Sequence, residues 1–461
     1  MVIAGGGFVG LAGALFLARH GHVVTVVERD GAPPDAEPSD DVDDWHRPGV
    51  PQARQSHAVL GRARRVLVDE APDVVASLVA RGVHEIPARV GSGVLDGEQM
   101  LLTRRLVAEA GLRRIVAREP GITLVASDAV VGLEVSRAGS VPLVTGVRLV
   151  SGPSLDADLV VDAGGRRSAL PDWFVQADLA APVEERQDCG FFYLTRFYRV
   201  RPGLETPVSK VPASSALDYA TVFALGADND TFSLTVTLSV DDPCRRALRN
   251  PDTFEAFLRA VPHSEPWIRV GVPISEISTM SRIENRRRRL ATSDGPIAGG
   301  IVALGDASMH TNPTLGRGIS MGLMHAQHLA EVAHLAEDDP VGFVETFTAW
   351  TDDHLGVWYD TQVAADAIAL DRLAAGVLGT RLDVADTPAA RFGAAAFACA
   401  ADDEIVGVAV AKMVHLFAPP AEIFGDALVG SRVSAFLASG ASVARPADVP
   451  NRRVFEALAC R

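Results

Sequence analysis

The chain has 461 residues, 48% of them hydrophobic and 22% charged, with a formal net charge of -15. That is the composition of a soluble globular protein with two or three packed units, and it excludes a disordered chain. The acidic balance argues against nucleic acid and against an anionic membrane surface as partners.

In chain order, Val2–Ala4 is a short apolar run, followed by Gly5-Gly6-Gly7-Phe8-Val9-Gly10. Leu11 to His20 has helical periodicity, Gly21 ends it, and His22 to Glu28 is a β-branched run that predicts a buried parallel strand. The uncharged stretch Val2 to Ala18 lacks a basic leader, which argues against a signal peptide or a membrane span. Asp35 to Asp44 is acidic and reads as a solvated loop. Arg62 to Arg81 and Arg104 to Arg118 predict helices. Residues 122–126, 129–135, 144–150 and 158–162 predict strands. Phe191 to Val200 is strand-like and aromatic. In Thr231 to Val240 apolar residues alternate with Thr or Ser, which predicts an antiparallel strand with one apolar and one polar face. Ile301 to Leu304 returns to a buried strand and Gly318 to Leu335 to a helix. From about Asp360 the chain is Ala-rich and mostly helical. Cys189, Cys244, Cys399 and Cys460 are far apart, lack metal-ligand spacing and read as reduced thiols of a cytoplasmic protein.

The fold class expected is α/β. A Rossmann-like domain (1–185 and 275–345) carries an inserted antiparallel β-sheet domain (186–274) and is followed by a helical C-terminal region (346–461). The strand, Gly5-x-Gly7-x-x-Gly10, helix, strand and terminal Glu28 stand in the register of a dinucleotide site. The glycines allow a tight turn, a close pyrophosphate and close helix–strand packing, and the helix N-terminus meets the phosphates. Glu28 suits a free ribose 2′-hydroxyl and disfavours NADP in this site. Further on, a strand ends in Gly305-Asp306-Ala307, followed by Asn312-Pro313 and Gly316-Arg317-Gly318-Ile319. Asp306 either binds a cofactor hydroxyl or caps the following turn.

Three blocks in this order, Gly5–Glu28, Asp162-Ala163-Gly164-Gly165-Arg166 and Gly305–Gly318, resemble the FAD-dependent monooxygenases of the aromatic-hydroxylase fold. Flavin-dependent halogenases and reductases share that fold. The resemblance implies FAD held by Gly5, Gly7, Gly10, Glu28, Arg29, Arg104, Val130, Asp306, Pro313, Gly316, Gly318 and Ile319. Gly49 to His57 resembles a segment that family members run beside the flavin, which makes Arg54 and His57 catalytic candidates. His57 equally suits a structural hydrogen bond at a helix start. Arg196 and His310 are further candidates. His310 sits one place later than the family's usual histidine. Phe192, Tyr193, Tyr219 and Phe232 either line the substrate cavity, with Arg196, or pack the core.

The resemblance implies monooxygenation, by hydroxylation or epoxidation, through a flavin C4a-hydroperoxide. The substrate would be a hydrophobic, aromatic or polyketide-like small molecule of secondary metabolism, and dioxygen the co-substrate. Gly164 stands where the family usually has an acid linked to FAD and NAD(P)H, so either NAD(P)H or a separate flavin reductase supplies electrons. Neither the halogenase Trp-x-Trp string nor the reductase aromatic string is present. Those activities, and a flavin-binding protein without catalysis, stand as alternatives. Arg286 to Arg289 is either a solvated strand end with salt bridges or a source of one arginine at the active-site rim.

Overall fold

The computed structural model describes residues 1–33, 45–207, 214–380, 382, 387–440 and 450–459. The acidic loop at Asp35 to Asp44 lies outside them. The elements used below are, in chain order, strands β1 (Val2–Ala4), β2 (Val24–Glu28), β3 (Ile122–Ala126), β4 (Val160–Asp162), β5 (Phe191–Val200), β6 (Thr221–Gly226), β7 (Thr231–Ser239), β8 (Ser278–Met280), β9 (Glu284–Arg289) and β10 (Ile301–Ala303). The helices are α1 (Phe8–Arg19), α2 (Arg105–Val116), α3 (Gly318–Val332) and α4 (Pro340–Val377).

The molecule is a mixed α/β structure with a parallel sheet. Its strand order is β10-β4-β1-β2-β3, with β1 pairing in parallel to both β4 and β2. α1 makes the crossover from β1 to β2. Nine of its residues, Leu15 and Phe16 among them, are buried, because the sheet lies on one side and α2 and α3 on the other. Burying each such side chain contributes about 1.5–3 kcal/mol. This explains why the N-terminal stretch is apolar all round without being a membrane segment. No described helix is long and apolar enough to cross a membrane.

Between β4 and β10 the chain builds a six-stranded antiparallel sheet centred on the β5–β7 pair. The period of two gives each strand two faces. Phe192, Leu194, Phe232, Leu234, Val236 and Leu238 pack under the helices Pro251–Ala260 and Arg452–Ala459, against Phe254, Phe257 and Phe455. The Thr/Ser face is buried as well: all nine residues of β7 are inaccessible. Gln55 and Ser56 cover that face, through Thr195 Oγ1 to Gln55 Oε1 (2.7 Å) and through bonds of Ser56 Oγ shared with Ser233 and Thr235 (both 2.7 Å). Leu373 of α4 packs beside Phe191 and Tyr193 on the same face.

One expectation is corrected outright. Cys189 and Cys399 are free thiols, but Cys244 is disulfide-bonded. Four isolated reduced thiols is therefore the wrong reading.

Candidate functional site

The first half of the site is the β1–α1 turn. Gly5 has φ +119°, a conformation open to glycine, and a Cβ there would lie 2.4 Å from the Ala163 carbonyl oxygen. A Cβ on Gly10 would lie 2.1 Å from the Gly5 carbonyl oxygen, so helix and strand touch through backbone alone. Gly7 differs: a Cβ there would meet no atom of the described residues within 4 Å. Its neighbourhood is an open cradle at the N-terminus of α1, where unpaired N–H groups favour an anion.

Glu28, buried at the end of β2, accepts the Gly6 N–H (2.7 Å) and the Asp30 N–H (2.9 Å). A carboxylate has about four acceptor positions, so capacity remains for a ribose. Beside it lies Arg47, buried and stacked on Trp45, with ion pairs to Glu109 (2.6 Å), Glu28 (3.4 Å) and Asp30 (3.5 Å). Its Nε has no hydrogen-bond partner among the described residues, and its Nη1 has only the long ion pair to Asp30. Buried donors are rarely left so, which marks a place for a ligand acceptor. Arg105 donates to Glu109 (3.1 Å) and lies over the Phe8 ring at the first turn of α1.

The second half is the β10 exit and the start of α3. Gly305–Ala307 forms one turn and Pro313–Leu315 another, and Gly316 follows with φ +67°. Asp306 points at the start of α3: a Cβ on Gly318 would be 3.6 Å from its Oδ1. Pro313, Leu315 and Gly316 are exposed, while Asn312 beneath them is buried and Ile319 nearly so. An apolar turn next to a helix N-terminus suits a flat ring with an electron-rich edge.

Arg286 and Arg288 hold this half together. Arg286 donates to the carbonyls of Arg166 (3.0 Å) and Asp306 (3.5 Å), and Arg288 to the Ala307 carbonyl (2.9 Å) and Ser168 Oγ (3.2 Å). Arg287 and Arg289 pair outward with Glu185, Asp352 and Asp360. Half of the basic run is thus solvent-side ion pairing, and half is a buried staple for the two turns. Asp162, whose carboxyl burial pushes upward, accepts Gly164 N–H (2.9 Å) and Ser168 Oγ–H and lies near Arg288.

The candidates scatter in an instructive way. Arg104 is buried and bound to Asp228, through Nη2–Oδ2 (2.8 Å), Nε–Oδ2 (3.1 Å) and its own backbone N–H (2.7 Å). Arg196 sits on the helix-covered face of the sheet, paired with Glu255 (2.9 Å) and the Ser275 carbonyl (3.0 Å). Phe192, Phe232 and Tyr219 belong to that same core, and Tyr219 stacks on Phe455. Of the aromatic set only Tyr193 lies on the Gln55–Ser56 face, where its hydroxyl donates to Asn312 Oδ1 (2.6 Å). Arg54 and Arg29 are exposed, and Arg29 reaches the Gly49 carbonyl (3.5 Å). Val130 is half-buried at the start of a strand. His310 is buried, its Nδ1–H on the Glu284 carbonyl (2.7 Å), and burial lowers its pKa. His57 donates Nδ1–H to the Gln55 carbonyl (2.9 Å), and desolvation together with the nearby Arg105 cation lowers its pKa to about 4. It is neutral at physiological pH, and its Nδ1–H bond stays within the Gly49–His57 segment. Sequence reasoning missed Arg47 and Arg105. The i,i+4 spacing of Arg105 and Glu109 was the available signal for the second.

Two buried histidines accept backbone N–H groups in neutral form, one of them at the Gly305 turn of the site. His325 Nδ1 accepts the Gly305 N–H (3.3 Å) and His415 Nδ1 accepts the Gly61 N–H (3.1 Å). Burial lowers their pKa values to about 3 and about 4. Both bind a proton more readily unfolded, at the ordinary value of 6.5, than folded. Stability should therefore hold above about pH 6.5 and fall as pH drops below it toward those folded values, by on the order of a few kcal/mol per histidine. Urea midpoints across that window test this. The loss should shrink in His325→Gln, and an unchanged slope there would contradict it.

No protein-family model matches the chain. Protein Rv3254 of Mycobacterium tuberculosis is 28% identical over 365 residues, covering 71% of each chain. Among solved structures, a flavoprotein/dehydrogenase from Cytophaga hutchinsonii superposes with TM-score 0.64 at 13% identity, covering 95% of this chain and 99% of its own. PqsL, a probable FAD-dependent monooxygenase from Pseudomonas aeruginosa, superposes with TM-score 0.57 at 19% identity, covering 82% of this chain and 99% of its own. The chain therefore has the fold of the aromatic-hydroxylase-type flavoproteins.

Proposed function

We propose that the chain is an FAD-dependent monooxygenase acting on a hydrophobic, aromatic or polyketide-like small molecule. One observation carries this reading: an open cradle at Gly7 and a second helix N-terminus at Gly318 follow two strands of one parallel sheet, and the Asp306 carboxylate lies close to Gly318. A dinucleotide with a ring at its far end matches that pair. Gly5, Gly7 and Gly10 would line the pyrophosphate, Glu28 and Arg47 the adenosine end, and Asp306, Gly316 and Gly318 the flavin end.

Bound and reduced, FAD supplies the activation of dioxygen. The residues of this chain do the rest. The α3 N-terminus stabilises negative charge, the Gln55–Ser56 segment and the buried sheet face exclude water, and neutral His57 and His310 keep added positive charge out of the interior. The FAD fit rests on Arg47 Nε, unpartnered among the described residues, and on the open Gly7 cradle.

The test starts from FAD-loaded protein titrated without oxygen with NADH, NADPH or an enzymatic source of reduced flavin. Oxygen is then admitted with an aromatic substrate panel, and products are weighed by mass spectrometry. Addition of one oxygen atom is expected. Products differing only by hydrogen would replace the reading with a dehydrogenase or oxidase, the second reading that the fold allows. Failure of the protein to take up FAD would remove both.

A further inference from the structure

One buried cluster beneath the Asn312–Gly316 turn has no part in the reading above. Asp366, on α4 and 3% exposed, is surrounded by donors. Its Oδ1 accepts from Asn312 Nδ2 (2.8 Å), Gln362 Nε2 (2.9 Å) and Thr314 Oγ1 (3.1 Å), and its Oδ2 from Asn285 Nδ2 (2.8 Å). The Cys189 thiol points at the same Oδ2 (3.8 Å). We infer that Asp366 is a positioning residue, a carboxylate that locks the Asn312–Gly316 turn and ties it through Asn312 to Tyr193 on the sheet. The inference rests on that turn being the flavin-side turn proposed above.

The orientation of Asn285 is forced. The Asn312 backbone N–H can only donate, and it donates to Asn285 Oδ1 (2.7 Å). Asn285 must then turn Nδ2 toward Asp366. Asn312 Oδ1 is taken by the Tyr193 hydroxyl (2.6 Å), so its Nδ2 also faces the carboxylate. A protonated or amide side chain at 366 would have to aim a donor into this shell of donors.

A buried charge of this kind is a poor stabiliser, because apolar residues of equal volume serve a core as well or better. What it supplies here is geometry. Asn312 and Thr314 are fastened from below, while Pro313, Leu315 and Gly316 between and after them face outward. The same cluster joins four separate stretches of chain: β5 through Tyr193, β9 through Asn285, the turn, and α4. A ligand pressing on Tyr193 is therefore one hydrogen bond from Asn312, and Asn312 is one from Asp366.

The test compares wild type with Asp366→Asn, Tyr193→Phe and Thr314→Val, each as full chain. In the FAD-loaded proteins, Asp366→Asn should raise the FAD dissociation constant at least tenfold and shift the flavin midpoint potential to more positive values, because a negative charge beneath the turn is lost. Tyr193→Phe, which removes one bond, and Thr314→Val, which removes two (to Asp366 Oδ1 and from Gln362 Nε2), should give smaller losses of FAD affinity. In the proteins without FAD, amide hydrogen exchange at 312–316 should accelerate in Asp366→Asn while α1 stays protected. Exchange and FAD affinity both at wild-type values would overturn the inference, as would global loss of protection with unchanged affinity in the folded fraction. A wild-type chain that binds no FAD while exchange at the turn still accelerates would sink the cofactor reading and leave the clamp standing. Thr314→Val carries the test if the Asp366 variant does not fold.

Discussion

A Gly10→Val chain should emerge from gel filtration without flavin and with a lowered melting temperature. The new Cβ would sit 2.1 Å from the Gly5 carbonyl oxygen and 3.1 Å from Ala163 Cβ. Neither can retreat. Gly5 donates its N–H to the Val27 carbonyl at 2.8 Å, and Ala163 donates its own to Ala4 at 2.9 Å, so both are fixed in the parallel sheet. The side chain must instead wedge α1 off β1 and β4, at a cost of several kcal/mol against a total stability of about 5–15. Loss of flavin alone would not separate a broken fold from a blocked site. Gly7→Ala makes the separation. Its Cβ meets no atom of the described residues within 4 Å, so the protein without FAD should melt as wild type does. The same methyl intrudes where a phosphate would approach, and FAD affinity should fall at least tenfold, about 1.4 kcal/mol. Flavin absorbance per protein and calorimetric titration read both outcomes. A flavin-loaded Gly10→Val protein, or a Gly7→Ala protein of undiminished affinity, would remove the phosphates from this turn.

Gly10 was legible in the sequence because its clash, with the Gly5 carbonyl, arises within the turn itself, and Gly5 because its positive φ belongs to that turn, although what a Cβ there would strike is Ala163, far along the chain. The same holds for Gly316, whose positive φ belongs to its own turn. The period-two pattern of Thr231 to Val240 likewise located a strand with two unlike faces. It could not say what covers the hydroxyl face. Gln55 and Ser56 cover it from some 180 residues upstream in the chain, and Leu373 from more than a hundred downstream. Composition holds no record of that meeting. Arg196, Phe192 and Phe232 look alike to a sequence reading of aromatic strands, but strand parity sends all three to the helix-covered side and Tyr193 to the other. The Cys244 disulfide was hidden because separation along the chain does not reveal proximity in the fold. Asp366 was illegible for a further reason. Its role depends on donors from four stretches, and nothing local to an Ala-rich helix distinguishes a clamp from a surface acid.

The adjacent pair Arg104 and Arg105 offers the sharpest division between the two kinds of reading. The family resemblance points to Arg104, whereas the structure gives Arg104 to Asp228 and brings Arg105 over Phe8. Arg104 and Asp228 are 4% and 0% exposed, so removing one partner strands a buried charge, at about 3–5 kcal/mol. Asp228→Ala and Arg104→Ala should therefore each lower the urea midpoint steeply. The double variant should recover part of the loss, because neither charge is then left alone. The molecules that stay folded should bind FAD as wild type does. Arg105→Ala should do the reverse. Its guanidinium shares Glu109 with Arg47, so the ion pairing there survives in part and the midpoint moves little. FAD affinity should fall about tenfold, as for one charge-assisted contact to phosphate. Midpoints and dissociation constants measured on the same four proteins decide the matter. Equal loss of affinity in the Arg104 and Arg105 variants would return Arg104 to the cofactor, and would mean that its bond to Asp228 holds the phosphate-binding end in place rather than merely joining two parts of the chain.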